Sequence, residues 1–335
     1  MINTSPGGSE NQEARFDRSR VVPGLAMIAQ SLWRRADVAH LNTNFGFALY
    51  RTCAIAEVLR LRGIPTVIHL HGGDFETHFK RRPRAIRWVI ANLLRHSMIV
   101  TMTRATEAFV RDSLDHPRVV YVPNFTKLER FEPGLRASDP EHRLRVLFVG
   151  WVMRGKGIFE LLEAIAELPG AHLDIVGPFV PAGDEHPQAE IEERLADPRL
   201  AGRVALHGPK PHERLADFYR DADVFALPSH REGFPLVLIE AMAAELPVVV
   251  TPVGAMGDLV REARCGTIVP PNDVSSLTDA LRDLATHPER RAEMARRGRA
   301  YAHSSLSVEA VVPKLDTIWR SAISDWRGRR GRAVG

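Results

Sequence analysis

Two carboxylates, Glu232 and Glu240, bracket a short turn made of Gly233, Phe234, Pro235 and Leu236. An apolar run precedes them up to Pro228, and Pro235 suits the first helical position because a proline there forfeits no useful donor. The backbone N–H groups of residues 233–237 then point out of a helix N-terminus at the C-terminal edge of a parallel sheet. That is an anion site by dipole and geometry, placed where open α/β sheets bind ligands. A carboxylate accepts hydrogen bonds in pairs, so vicinal hydroxyls of a sugar or ribose are natural partners. Together these features describe a sugar-nucleotide site. The competing reading makes Glu232 a helix cap and Glu240 a solvated acid, but Glu240 interrupts the apolar run Pro235–Ala244, where a solvent-facing charge is less expected.

A second cluster, Gly150-Trp151-Val152-Met153-Arg154-Gly155-Lys156-Gly157, lies between a strand and a helix. It is near a P-loop in spacing, but Gly157 stands where the Mg²⁺-holding Ser/Thr belongs and no partner motif is present. The third cluster is His69-Leu70-His71-Gly72-Gly73-Asp74, after the apolar residues Thr66–Ile68. Gly72 and Gly73 permit close approach of a ligand to the backbone. Histidines at i and i+2 raise the question of a metal, yet no third ligand is evident nearby, so no metal site is assigned. His71 satisfying buried backbone groups is the competing structural role.

The elements that must position these residues follow from periodicity. Leu144–Val149, Leu173–Val176, Val204–Leu206, Val224–Leu227 and Val248–Thr251 are short β-type runs, with helix-period segments Ile158–Leu168, Ala189–Leu195, Glu213–Tyr219 and Leu236–Ala244 between them. Val38–Leu41, Thr66–His69, Met98–Met102 and Val119–Val122 repeat the pattern in the first half. Alternating β and α elements imply parallel sheets covered by helices, and 335 residues allow two such domains. Ser307 is a credible N-cap of a last helix interrupted by Pro313, and the Arg-rich tail after Asp325 is expected to be disordered.

The carboxylate pair and its surroundings resemble the E-x7-E signature of the family 4 glycosyltransferases. The resemblance covers roughly residues 36–320 and includes Pro228-Ser229, the Glu-Gly-Phe-Pro loop, Glu240-Ala-Met-Ala, Pro247–Gly254, Gly266 with Val269-Pro270, and Asp273. It implies an α/β GT-B fold, with two Rossmann-like domains facing across a cleft, an abbreviated N-terminal domain and a kinked C-terminal helix crossing back. The expected bounds are 1–138 for the acceptor-side domain, 139–304 for the nucleotide-sugar domain, 305–324 for the crossover helix and 325–335 for a basic tail. It also implies a retaining transferase that moves a sugar from a UDP-, GDP- or ADP-sugar to a glycan or lipid-linked acceptor, in cell-surface polysaccharide or glycolipid synthesis. A donor phosphate oxygen would take the acceptor proton, with no obligatory cofactor or metal. By the same likeness Glu232 approaches the donor sugar and Glu240 the ribose. Gly233, Phe234, Pro235 and Leu236 line the diphosphate and sugar beside Ser229, while Lys156, with Arg154, neutralises the pyrophosphate. His71 faces the reaction centre, and Gly72, Gly73, Asp74 and Asn124 lie on the acceptor side.

Three positions depart from the family pattern. Trp151 occupies the place of the expected arginine, Phe125 follows Asn124 where glycine is usual, and only about 36 residues precede Ala36 where two βα units are expected. The N-terminal domain is thus expected to be abbreviated, or its start placed too late. A nucleotide-sugar epimerase or a non-catalytic sugar-nucleotide binder of the same fold is the alternative activity. A nicotinamide dehydrogenase is excluded by the lack of G-x-G-x-x-G after a strand.

Charge sharpens the question of partners. Residues 1–140 carry 20 Lys+Arg against 13 Asp+Glu, and the remainder carries 25 against 28. Residues 77–106 contain no acid but hold Lys80, Arg81, Arg82, Arg84, Arg87, Arg95 and Arg104. Ile86, Val89, Ile90, Leu93 and Leu94 form one helical face there, with Trp88 at its flank. Such a helix, through residues 80–95, either lies on an anionic membrane or packs its apolar face on the core. No nucleic-acid motif is present. Two cysteines, no apolar run near 18 residues and no hydrophobic signal core point to a cytoplasmic protein, and the membrane reading of residues 80–95 would make it peripheral at the inner face of the cell membrane.

Overall fold

The computed structural model describes residues 36–72, 75–134, 144–180 and 188–334. The expectations for the N-terminal stub, Gly73, Asp74 and most of the linker before Leu144 lie outside these residues. The chain forms two compact units, one comprising Met1–Pro123 with Val312–Gly335 and the other Asn124–Val311.

The first unit is a four-stranded parallel sheet in sequential order: β1 (Ala39–Thr43), β2 (Thr66–Leu70), β3 (Met98–Thr101) and β4 (Val119–Tyr121). Helices α1 (Phe47–Leu61), α2 (Phe75–Lys80), α3 (Arg84–Leu94) and α4 (Arg104–Ser113) connect them. Every residue of β2 and β3 is buried, as expected of parallel strands covered on both faces. Register pairs His40 with Val67 and Asn42 with His69. Residues paired in this way share a face, so His40, Asn42 and His69 line one side of the sheet.

Helix α3 differs from the packed arrangement. Only Ile90 and Leu94 are buried, while Ile86, Trp88 and Val89 are exposed, Trp88 by 68%. The apolar stripe is therefore only half used by the core.

In the second unit, six parallel strands are arranged β10-β9-β8-β5-β6-β7. They are β5 (Leu144–Val149), β6 (Ala171–Val176), β7 (Val204–Gly208), β8 (Val224–Leu227), β9 (Val248–Val250) and β10 (Gly266–Ile268). The intervening helices are α5 (Ile158–Ala166), α6 (Gln188–Leu195), α7 (His212–Asp221), α8 (Leu236–Ala243), α9 (Met256–Ala263), α10 (Val274–Thr286) and α11 (Pro288–Tyr301). The chain runs from β5 outward to β6 and β7, then returns to place β8 on the other side of β5. This reversal is the switch point at which such sheets bind ligands. It brings the loops after β5 and β8 together, and these carry Lys156 and Glu232.

Two boundaries differ from expectation. Pro235 has extended backbone and is the N-cap of α8, one place before the helix it was expected to begin. The last helix, α12 (Val308–Val334), continues through the tail expected to be disordered. Ser307 Oγ accepts from Ala310 N at 3.2 Å as the anticipated cap, and Pro313 lies inside the helix. Downstream, Arg329 Nε donates to the Asp325 carbonyl. Arginines near a helix C-terminus favour the helical state through the dipole, which accounts for the extension.

Candidate active site

In the second unit, Lys156 Nζ lies 2.7 Å from Glu232 Oε1, and Ser229 Oγ donates to the same oxygen at 3.1 Å. Both charged side chains are largely withdrawn from water, at 16% and 5% exposure. The loops that hold them are stitched by His230 N donating to Gly155 O (2.9 Å) and by a short hydrogen bond from Thr251 Oγ1 to Ser229 O. Gly157, with φ of 73°, closes this contact. A β-carbon there would meet the Pro228 carbonyl oxygen at 2.2 Å. Glycine replaces the P-loop Ser/Thr because the two loops leave no room for a side chain.

Glu232 leads into Gly233, whose carbonyl accepts from Ala255 N at 2.8 Å, and into Phe234, which is buried. The turn is anchored from both sides before α8 begins. The first amides of α8 have no partner one turn earlier in their own helix, so the turn presents donors where an anion would sit. Leu236 at its rim is 40% exposed.

Glu240 is not a solvated acid. It is 4% exposed, receives the Tyr219 hydroxyl on Oε2 at 2.9 Å, and has His212 Nε2 3.4 Å from Oε1. Burial raises its pKa above the usual carboxylate range, while the Tyr219 hydrogen bond and His212 act in the opposite direction. Tyr219 is itself fully buried against the ring of Phe131. The sequence reading missed Tyr219 and His212. Both lie on α7, His212 at its first residue and Tyr219 seven positions on, which is two turns along one face.

Arg154 is not brought to the Lys156–Glu232 pair. It forms a short ion pair with Glu190 and stacks over the Phe159 ring at 5.1 Å. Trp151, in the place of the expected arginine, is 41% exposed. Asn124 was grouped with the acceptor side, but its amide donates to the Phe234 carbonyl at 3.1 Å and so braces the turn before α8.

The first unit places His71 just beyond β2. Its backbone N–H donates to Thr43 O at 2.8 Å, and its Nε2 lies 3.0 Å from Asn42 Oδ1. Burial lowers its pKa, so the ring is uncharged near neutrality. Gly72 has φ of 120°, and a β-carbon there would strike the Phe45 ring at 2.7 Å. Its small size accommodates a protein side chain as well as a strained backbone, beyond the ligand approach first assigned to it. His69, buried, packs its ring 4.3 Å from that of His71 and hydrogen-bonds His40. His40 and Asn42 were also missed, although their alternation in Ala39-His40-Leu41-Asn42 puts both on one face of a strand. Among the described residues no group of three or more His, Cys, Asp or Glu is arranged to hold a metal, and no helix is long and apolar enough to cross a membrane.

The model of the glycosyl transferases group 1 family matches residues 136–301, and that of the glycosyl transferase 4-like domain matches residues 6–124. The D-inositol 3-phosphate glycosyltransferase of Mycobacteroides abscessus is 33% identical over 227 residues, covering 67% of this chain and 47% of the relative. The D-inositol 3-phosphate glycosyltransferase 1 of Catenulispora acidiphila is 34% identical over 215 residues, covering 60% and 51%. The chain spans about half the length of these curated relatives. Among solved structures, sucrose-phosphate synthase from Thermosynechococcus elongatus superposes with a TM-score of 0.76 at 24% identity, over 93% of this chain and 81% of that one. Anabaena HepE in complex with UDP gives 0.73 at 18% identity, over 89% and 82%. These likenesses establish the fold, which is GT-B as the sequence implied.

Proposed function

The chain belongs to the family 4 glycosyltransferases, and from that membership we propose that it moves a sugar, with retention of configuration, from a nucleoside-diphosphate donor to a glycan or lipid-linked acceptor. The observation that carries this reading is the arrangement around α8. A lysine and a carboxylate are paired at its entrance, and a second carboxylate is buried one and a half turns inside. Lys156 neutralises Glu232. A bound diphosphate would compete for that ammonium, turning Glu232 toward the sugar while Lys156 and the α8 amides stabilise the charge that develops on the leaving group. Glu240, held by Tyr219, would accept the ribose hydroxyls through its remaining lone pairs. HepE in its complex with UDP supports a nucleotide donor.

The first unit would serve the acceptor, with uncharged His71 at the reacting centre. No side chain need act as nucleophile, because the acceptor hydroxyl can attack from the face that the diphosphate leaves, a donor phosphate oxygen taking its proton. Helix α3 supports a lipid-linked acceptor. It exposes Ile86, Trp88 and Val89 alongside Arg84 and Arg87, the composition of a helix resting on an anionic membrane face. The setting would be polysaccharide or glycolipid synthesis, at the inner face of a cell membrane.

Titrating UDP-, GDP- and ADP-sugars while following thermal unfolding tests the donor site. A donor at a hundredfold its Kd stabilises the chain by about 2.7 kcal/mol, and the matching base identifies itself. No response to any of them contradicts the proposal. Product analysis then separates transfer from epimerisation and from binding without turnover.

A further inference from the structure

Trp319, on α12, has a hydrogen bond to give. Trp319 Nε1 donates to His40 Nδ1 at 2.9 Å, and the indole meets the imidazole edge-to-face with centroids 5.9 Å apart. The indole N–H only donates, so His40 must accept on Nδ1 and, when neutral, carry its proton on Nε2. That Nε2 lies 3.3 Å from His69 Nδ1, which must accept in turn, leaving the His69 proton on its own Nε2. The His69 Nε2 atom is buried with no partner among the described residues. The ring it belongs to packs against His71, whose Nε2 contact with Asn42 Oδ1 makes Nε2 the protonated nitrogen and leaves Nδ1 with the lone pair. A donor-only group at one end thus sets the orientation of two rings, and the second of them backs the third.

We propose that Trp319 is a positioning residue for His71, acting through His40 and His69 by fixing their tautomers. The role assigned to His71 rests on the transferase reading above; the tautomer chain does not. Burial supports it from a second side. It lowers the pKa of His40 to about 4 and that of His69 to about 2, so both rings are neutral and each has one donor and one acceptor to place. Without the indole N–H, the Nδ1–H form of His40 is no longer excluded. His40 would then lose its donor toward His69, and the ring behind His71 would be freed to turn.

The test is Trp319→Phe, which removes the N–H and keeps a ring against His40, made both in the wild-type chain and in His40→Gln. The glutamine amide supplies a donor near the former Nε2 without needing the indole. Nitrogen-15 NMR of the ligand-free full chain should show a single Nε2–H tautomer at His40 and His69, becoming a mixture at His40 in Trp319→Phe. With a sugar-nucleotide donor, kcat should fall about tenfold while donor Kd stays within about twofold. In the His40→Gln background the same substitution should change kcat by less than about twofold, since a residue acting only through His40 has nothing left to act on. An unchanged His40 tautomer overturns the proposal. So does an equal loss of kcat in both backgrounds, which would mark Trp319 as packing alone. A wild-type chain that turns over no sugar nucleotide overturns the transferase reading instead, and the His40 and His69 tautomers then decide the relay by themselves.

Discussion

The two units carry polar groups of contrasting electrical character. In the second unit the groups are charged: Lys156 against Glu232 at 2.7 Å, and a buried carboxyl at Glu240. In the first unit they are neutral: His40, His69 and His71, each with its pKa lowered chiefly by desolvation. On the proposed reading the charged groups would hold a diphosphate and stabilise its departure, whereas neutral imidazoles would suit a surface that orients hydroxyls without competing for the phosphate. The two sites also respond to pH in opposite senses. Glu240, with a raised pKa, binds its proton more tightly when folded. Its contribution to stability is therefore full below its unfolded pKa and is lost as pH rises through the folded one. The histidines bind theirs less tightly when folded, so their contribution is present above the unfolded pKa and lost as pH falls.

The sharpest way to break this division is to remove charge from the second unit. Glu240→Ala should lower kcat/KM about a thousandfold, the worth of two hydrogen bonds to a carboxylate, as steady-state kinetics would show. Near-normal turnover would dissociate the buried acid from the donor. Lys156→Met should come next. It strands Glu232 at 5% exposure without its cation, and denaturant unfolding should record a loss of about 3 kcal/mol.

Acid should act on the first unit to a similar extent. Folded His40 titrates near 4 and its unfolded form near 6.5. Between those values the unfolded chain binds more protons, so His40 alone should lower stability by about 3 kcal/mol as pH falls through that window. His40→Gln should make that part of the profile shallower, His69 and His71 still contributing to it, while leaving the response to Glu240 in place. The smallest effect is expected from Tyr219→Phe, about 1 kcal/mol by urea unfolding. Because the lost hydrogen bond favours the ionised carboxyl, the acid limb of donor binding should move to higher pH.

The alternation of β-branched runs with helix-period segments made the second unit legible nearly strand by strand, since buried parallel strands leave a continuous apolar signal. Glu240 was legible for a related reason, being a charge inside an apolar helix. Lys156 and Glu232 were each recognisable, but their pairing depends on the strand order that sets β8 beside β5, and no local pattern encodes that. Tyr219 and His40 show the same limit. Each sits on an ordinary amphipathic element and acquires its role from a partner, Glu240 21 residues away and Trp319 279 residues away. Arg154 shows the reverse, a residue suited by type and position that the fold engages with Glu190. The α12 tail was misread because its Arg/Gly composition outweighed the favourable placement of cations at a helix end.

The central claim is that the second unit alone holds the donor while the first takes part in its turnover. Isothermal titration of a matching sugar nucleotide into the wild-type chain, Glu240→Gln and His71→Asn tests this directly. The account predicts that Glu240→Gln weakens donor Kd at least about a hundredfold, whereas His71→Asn leaves it within about twofold and loses turnover. Equal donor affinity in Glu240→Gln and wild type, or a collapse of affinity in His71→Asn, would contradict it.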